Sequence, residues 1–132
     1  MALGGTAPEP PRDPPLVLVV EDEFLIAMDL EHTLRWHGWR VLGPAPTVGE
    51  ALRLLDGGAR PDAALLDVNL GGEPVTPVAQ ALAGLGVPFA LVTAYAADGL
   101  DGPLLRAAPR VGKPFTAAGL VRAVARLRPE AG

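Results

Sequence analysis

Acidic and basic residues follow apolar segments that are typical of β-strands. Glu21 and Asp22 come after LVLVV, Asp67 ends the segment AALLD, and Lys113 and Pro114 follow RVG. The carboxyl ends of parallel strands meet at one edge of an open sheet, so we expect these side chains to share a pocket. Carboxylate oxygens bind hard divalent cations, and an ammonium group pairs with phosphate oxygens. The residue types therefore predict a site for Mg²⁺ and a phosphoryl group.

Asp67 is the candidate nucleophile of this site. With an ordinary pKa of about 3.9 it is ionised at neutral pH, and it can attack phosphorus to form an aspartyl phosphate. Thr93 follows the fourth predicted strand and could donate its hydroxyl group to a phosphoryl oxygen, while Lys113 would supply a fixed positive charge. Structural alternatives exist for all three residues. Asp67 could open a turn, Thr93 could cap a helix, and Lys113 could simply be exposed to solvent.

The elements that must position these residues follow an alternating strand and helix pattern, which predicts an α/β fold with a parallel sheet. Strands are expected at residues 16–20, 39–42, 63–67, 88–92 and 110–112. Helices are expected at residues 24–37, from 47 onward, at 75–85 and at 116–127, and NLGGEP is expected to form a loop. Gly99, Gly102 and Pro103 interrupt the segment before the fifth strand, so the fourth helix should be weak or missing.

Length and composition favour one compact domain. The predicted organisation of the 132 residues is a Pro-rich arm at 1–15, a domain at 16–128 and a tail at 129–132. A net charge of −4 disfavours nucleic-acid binding. The chain contains no cysteine, no apolar run long enough to span a membrane and no signal-peptide pattern, so a cytoplasmic location is expected.

The segments VLVVEDE, ALLDVNL, LVTAY and VGKPF, in this order, resemble the receiver domain of bacterial two-component response regulators. The resemblance covers residues 16–127. It implies a flavodoxin-like, doubly wound sheet of five parallel strands in the order 2-1-3-4-5. It also implies Mg²⁺ as cofactor and a histidine kinase or histidine phosphotransfer protein as donor.

The resemblance assigns a role to each site residue. Glu21, Asp22, Asp67 and the backbone carbonyl of Asn69 would bind Mg²⁺. Asp67 would be the phosphoacceptor, and Thr93, the backbone N–H of Ala94 and Lys113 would contact the phosphoryl group. Pro114 can lock the loop that carries the lysine, because X-Pro bonds are among the few that adopt the cis form.

Two positions depart from the usual receiver pattern. Arg110 stands where most receivers carry an aromatic switch residue. The segment PFALVTAYA is similar to the Pro-Phe-x-Phe-Ala-Thr-Gly-Tyr motif of a subgroup of mostly stand-alone receivers, with Ala94 in place of its glycine. We hypothesise that Tyr95 shields the acyl phosphate from water or replaces the missing aromatic switch.

The expected function is that of a single-domain response regulator in a phosphorelay. It would catalyse its own phosphotransfer and dephosphorylation without being an enzyme in the ordinary sense, and it would signal by protein binding, because only RPEAG follows the last predicted helix. The alternatives are a receiver-like scaffold that takes no phosphate and a small Mg²⁺-dependent phosphatase, which would want an acid where Asn69 stands. Sink, shuttle and kinase-regulator roles all remain open. Arg122, Arg126 and Arg128 form a basic edge, either solvated or a partner surface.

Overall fold

The computed structural model describes residues 14–94 and 102–127 of the chain. It contains five alternating strand and helix units. The strands are β1 (Leu16–Val20), β2 (Arg40–Ala45), β3 (Ala63–Asp67), β4 (Phe89–Thr93) and β5 (Arg110–Gly112). The helices are α1 (Phe24–Trp36), α2 (Val48–Asp56), α3 (Thr76–Leu85), α4 (Gly102–Ala107) and α5 (Ala117–Leu127).

The strands form one parallel sheet in the order β2-β1-β3-β4-β5, which confirms the predicted flavodoxin-like order. Its register brings the carboxyl ends of the inner strands to one level. Val20 pairs with Leu66, Asp67 pairs with Val92, and Thr93 pairs with Gly112. Each inner strand therefore delivers the residues at its carboxyl end to the same edge of the sheet.

Helices cover both faces of the sheet, as the all-apolar inner strands require. Alternate residues of β1 point to opposite faces: Val17 and Val19 pack with α1 and α5, whereas Leu18 and Val20 pack with the opposite layer. Leu30 of α1 and Leu120 of α5 are fully buried in the first layer. The second layer contains α2, α3 and α4. No helix in the two described ranges is long and apolar enough to cross a bilayer.

Strand β2 is longer than predicted. The sequence places a turn at Gly43 and Pro44, but the strand continues through both residues to Ala45. Because β2 lies at the edge of the sheet, a proline that cannot donate a hydrogen bond is tolerated there. The extension matters for the site, since the carbonyl of Ala45 accepts a 2.9 Å hydrogen bond from the backbone N–H of Glu21.

Two other segments differ from the sequence expectations. Pro14 and Pro15, assigned to the arm, each accept a hydrogen bond from Arg40, while the rest of the arm and residues 128–132 lie outside the described residues. NLGGEP forms a hairpin of Asn69–Leu70 and Glu73–Pro74 instead of an irregular loop. Its two glycines have positive φ angles, as tight two-residue turns require.

The fourth helix is short but present. Gly102 and Pro103 were expected to interrupt it, and instead they begin it. A proline in the first turn costs nothing, because its missing N–H would have no partner within the helix. Leu105 then anchors α4 in the core with 1% of its surface exposed.

Gly43→Ala is expected to destabilise the protein by roughly 2 kcal/mol or more, because Gly43 has φ +94° and an added Cβ would lie 2.8 Å from the backbone N of Ala45. Gly49→Ala is the matched control, since Gly49 lies in α2 and an added Cβ would make only an ordinary 4.0 Å contact with Oγ1 of Thr47. That change should stabilise the protein by up to about 1 kcal/mol. Urea unfolding monitored by circular dichroism measures both, and equal effects of the two changes would contradict the argument.

Candidate phosphoryl and metal site

The site lies at the carboxyl edge of the sheet, where four strand ends meet. Glu21 directly follows β1, Asp67 ends β3, Thr93 ends β4, and Lys113 follows β5. Glu21, Asp67 and Thr93 are buried, with 1%, 8% and 4% of their surfaces exposed. The sheet register holds them in place, because each of these residues is in a strand or within one residue of a strand end.

Lys113 is the charge centre of the site. Its Nζ lies 3.1 Å from Oε1 of Glu21, 3.6 Å from Oδ1 of Asp67 and 3.8 Å from Oε1 of Glu23. The backbone N–H of Lys113 also donates a 3.0 Å hydrogen bond to the carbonyl of Thr93. One ammonium group therefore contacts three carboxylates from two sides of the pocket.

Three carboxylates converge beside the lysine. Glu21, Asp22 and Asp67 each bring one carboxylate oxygen to within 4.8 Å of those of the other two. Asp22 is exposed, whereas the other two are buried. Like charges at this spacing repel one another strongly in a partly dehydrated pocket.

The crowding of negative charges in a buried position raises the pKa of Asp67. Burial, the largest cause, and the negative charge of Glu21 together raise that pKa to about 7, although the Lys113 ammonium opposes the rise. Burial lowers the pKa of Lys113, but contact with Glu21 and the charges of Asp67 and Glu23 outweigh it, so the net shift is upward. Without a further cation the site holds more negative charge than Lys113 balances.

The residues fit a divalent cation. Oε1 of Glu21 is buried and has no hydrogen-bond partner among the described residues, although Nζ of Lys113 lies 3.1 Å away. Its other oxygen, Oε2, accepts a 3.1 Å hydrogen bond from the backbone N–H of Glu23. An unsatisfied buried carboxylate oxygen, two neighbouring carboxylates and an all-oxygen donor set match the preference of Mg²⁺.

A pocket of about 300 Å³ opens over the carboxylates. Besides the acids and Lys113, its walls contain Thr93 and Ala94 and the hairpin glycines Gly71 and Gly72. Gly71 lies beside the acids, because a Cβ added to it would make an ordinary 3.7 Å contact with Oδ2 of Asp22. The pocket thus combines a carboxylate, a hydroxyl-bearing residue and an ammonium group around one small volume.

The structure brings most of the predicted site residues together. Glu21, Asp22, Asp67, Thr93, Ala94 and Lys113 all belong to this edge. Asn69 begins the hairpin two residues after Asp67, with its backbone paired to Pro74. Tyr95 lies outside the described residues.

Two predicted residues lie elsewhere. Arg110 is exposed on β5 and lines a separate groove between β5 and α5. Pro114 lines that groove too and follows Lys113 through a cis peptide bond. Neither residue lines the acid pocket described above.

Sequence reasoning missed two features of the site. Glu23 was not considered, although it lines the pocket and contacts Lys113. The wall formed by Gly71 and Gly72 was also missed; a Gly-Gly pair between short strand-like dipeptides is the signal that could have indicated the hairpin. Lys113, which was predicted, is the only lysine among the 11 Lys and Arg residues of the chain.

Comparisons with known proteins were made for the whole sequence and for the fold. No protein-family profile matches the chain. The chain is 37% identical over 101 residues to the phyllosphere-induced regulator PhyR of Methylorubrum extorquens, covering 75% of this chain and 38% of PhyR. It is 34% identical over 83 residues to the transcriptional regulatory protein PdtaR of Mycobacterium tuberculosis, covering 62% of this chain and 40% of PdtaR. The matched region thus spans about two-fifths of each of these curated relatives.

A solved structure agrees over nearly its whole length. The BeF3-activated conformation of SdrG from Pseudomonas melonis Fr1 is 42% identical, has a TM-score of 0.73, and the match covers 88% of this chain and 98% of SdrG.

Proposed function

The chain belongs to the receiver domains of response regulators, and on this premise we propose that Asp67 accepts a phosphoryl group from a histidine kinase or a histidine phosphotransfer protein. The phosphorylated chain would then signal through protein–protein interaction. The observation that carries the proposal is the single ammonium group of Lys113, which lies 3.1 Å from Glu21 and 3.6 Å from Asp67 at the mouth of a small pocket.

The proposed reaction is an in-line displacement. A carboxylate oxygen of Asp67 forms a bond to phosphorus while the bond from phosphorus to the donor's histidine nitrogen breaks, and the electron pair of that bond returns to the ring nitrogen. The hydroxyl of Thr93, the backbone N–H of Ala94 and the ammonium of Lys113 contact the phosphoryl oxygens. These groups need little rearrangement, since strand ends and the sheet register already hold them.

Glu21, Asp22, Asp67 and the carbonyl of Asn69 would hold Mg²⁺, which when bound neutralises charge on the phosphoryl oxygens. Occupation of the site by a cation also favours the ionised form of Asp67, whose pKa of about 7 otherwise leaves much of the carboxyl protonated near neutral pH. Hydrolysis of the acyl phosphate by water would return Asp67 to its free state, so the chain would reset itself.

The direct test is incubation of the protein with acetyl phosphate and Mg²⁺, followed by intact-mass measurement. We expect one phosphoryl increment per chain, located by peptide mapping to the fragment that contains Asp67 and removed by hydroxylamine, which cleaves acyl phosphates. Omission of Mg²⁺ should prevent the increment. An unmodified mass under all conditions, or an increment on a hydroxyl-bearing residue, would refute the proposal.

The donor's docking site is indicated by the exposed apolar start of α1. Phe24, Leu25 and Met28 expose 73%, 77% and 50% of their surfaces. They follow Glu23, which lines the pocket, so a protein that presents a phosphohistidine to Asp67 would have this apolar patch within reach. An exposed apolar patch beside a reaction site is typical of a protein contact surface.

Leu25→Ser is therefore expected to slow phosphotransfer from a protein donor by about tenfold or more, because a docking side chain is lost. The rate with acetyl phosphate should stay unchanged, since the pocket is intact. Leu85→Ser, at an exposed leucine on α3, is the control and should change neither rate. Rapid-quench kinetics with both donors measures the effect, and equal slowing with acetyl phosphate would show that Leu25 acts on the pocket instead.

A further inference from the structure

Glu23 lies at the mouth of the acid pocket and has no role in the proposed reaction. It lines the pocket, and 65% of its side chain is exposed, compared with 10% of the side chain of Asp67. Its backbone is held from both sides. The N–H donates a 3.1 Å hydrogen bond to Oε2 of Glu21, and the carbonyl accepts a 2.8 Å hydrogen bond from the N–H of Ala27. The fold therefore fixes the backbone of Glu23 beside the opening.

Two structural roles explain little about this glutamate. Glu23 is the N-cap residue of α1, but its side chain forms no capping hydrogen bond. Its carboxylate lies 3.8 Å from Nζ of Lys113, and an ion pair that is so long and so exposed contributes little to stability. What Glu23 adds to the pocket is therefore mainly a negative charge at its entrance.

This charge adds to an excess of negative charge around the pocket. The described part of the chain places four carboxylates there, those of Glu21, Asp22, Glu23 and Asp67, and one ammonium group, that of Lys113. Glu23 does not belong to the three acids whose oxygens converge within 4.8 Å. A Mg²⁺ ion held by those three acids would therefore leave the charge of Glu23 in place. An anion that enters the pocket approaches this carboxylate.

On the premise of the proposed function, we propose that Glu23 is a specificity-determining residue that selects against small, free phosphoryl donors by repelling their charge. Acetyl phosphate is a dianion at neutral pH, and it has to overcome this repulsion each time it enters from solution. A protein donor is held at the pocket by its own docking contacts, which offset the repulsion before the transfer begins. Glu23 thus makes the chain respond to its protein donor and not to small acyl phosphates.

The expected effect is moderate because Glu23 is exposed to water. One unit charge that acts through water on a dianion about 8 Å away changes the rate of entry by roughly fivefold. Added salt should reduce this factor. For a small donor with one net negative charge fewer, such as phosphoramidate, the factor should be only roughly twofold. A steric effect of Glu23 would instead change the rates with both donors alike.

The test compares second-order rates of phosphoryl uptake in Mg²⁺, measured by intact mass. With acetyl phosphate we expect Glu23→Gln to react roughly fivefold faster than the wild-type protein at low salt, and Glu23→Lys to react faster still. The gain should be smaller with phosphoramidate and smaller at high salt. Glu23→Asp keeps the charge and should lose most of the gain. Asp29→Asn removes the same charge from an exposed position of α1 outside the acid pocket, so it should change neither rate.

Binding of inorganic phosphate at pH 8 measures the same repulsion without transfer to Asp67. Followed through the amide resonances of Gly72 and Ala94, which line the pocket, phosphate should bind roughly fivefold more tightly to Glu23→Gln than to the wild-type protein in Mg²⁺. Thermal unfolding checks that each variant is folded.

Equal acetyl phosphate rates and equal phosphate affinities in the wild-type protein and Glu23→Gln would overturn the proposal. A Glu23→Asp variant that gains as much as Glu23→Gln would also overturn it, because the charge would then not be the cause. Tighter phosphate binding by Glu23→Gln without phosphoryl uptake in any variant would support the repulsion by Glu23 while refuting Asp67 as acceptor. The two proposals can therefore fail separately.

Discussion

Asp67→Asn is expected to abolish phosphoryl acceptance and, at the same time, to stabilise the metal-free protein above neutral pH. The first effect is complete, because an amide cannot form the acyl phosphate. The second follows from the burial of a carboxylate next to Glu21, which raises the pKa of Asp67 to about 7. The native residue at this position is therefore better suited to phosphoryl chemistry than to stability.

The pH dependence has a definite sign. In the unfolded chain Asp67 loses its proton near its ordinary pKa of about 4, whereas in the folded chain it keeps the proton to about 7. Between these pH values the folded state binds more protons, so the stability of the wild-type protein falls as pH rises. The variant lacks this loss, and its advantage should grow across this range to on the order of 2 kcal/mol at pH 8.

Intact-mass measurement after acetyl phosphate treatment and urea unfolding at several pH values in EDTA would test both parts. Asp29→Asn, at an exposed aspartate of α1, is the control. It should take up phosphate like the wild-type protein and show no comparable pH-dependent gain. A phosphoryl increment in Asp67→Asn, or an advantage that does not change with pH, would contradict the assignment.

Lys113→Met is expected to reduce both phosphoryl acceptance and stability. Loss of a charged group that contacts the reacting oxygens should lower the rate with acetyl phosphate by about 100-fold or more. Removal of Nζ also leaves the buried carboxylate of Glu21 without its 3.1 Å partner. We expect a stability loss of roughly 3 kcal/mol at pH 8. The loss should become smaller at pH 5, where Asp67, with its pKa of about 7, is protonated.

A double variant separates the two effects. Glu21→Gln in the Lys113→Met background removes the unpaired charge, so stability should partly recover while the phosphorylation rate stays low. Phosphorylation kinetics and denaturation with the same protein preparations measure this. If the double variant were as unstable as Lys113→Met, the ion pair with Glu21 would not be the origin of the loss.

The topology could be derived from local patterns because each unit carries its own signal. The apolar runs at residues 16–20 and 63–67 predict inner strands, and an amphipathic helix pattern follows each strand. Acids and Lys113 directly after such strands then place a charged site at one edge, since a parallel sheet gathers its carboxyl ends there. The residue types and the order of the motifs also predicted the receiver family, which the comparisons confirm.

Other features depend on contacts between residues that are distant along the chain. The continuation of β2 through Pro44 depends on its position at the sheet edge, and no local pattern specifies which strand becomes an edge. Glu23 entered the site only when α1 was packed beside Lys113. Likewise, Arg110 of β5 and Arg122 and Arg126 of α5 line one groove only because α5 packs against β5.

Local sequence patterns were enough to predict the order of the elements, the inner strands and the charged residues at the strand ends, because hydrophobic periodicity and turn chemistry act over a few residues. The raised pKa of Asp67 and the sharing of one ammonium group among three carboxylates arise only in the folded chain. These properties depend on distance and burial, which become defined only when separate strands and helices pack together.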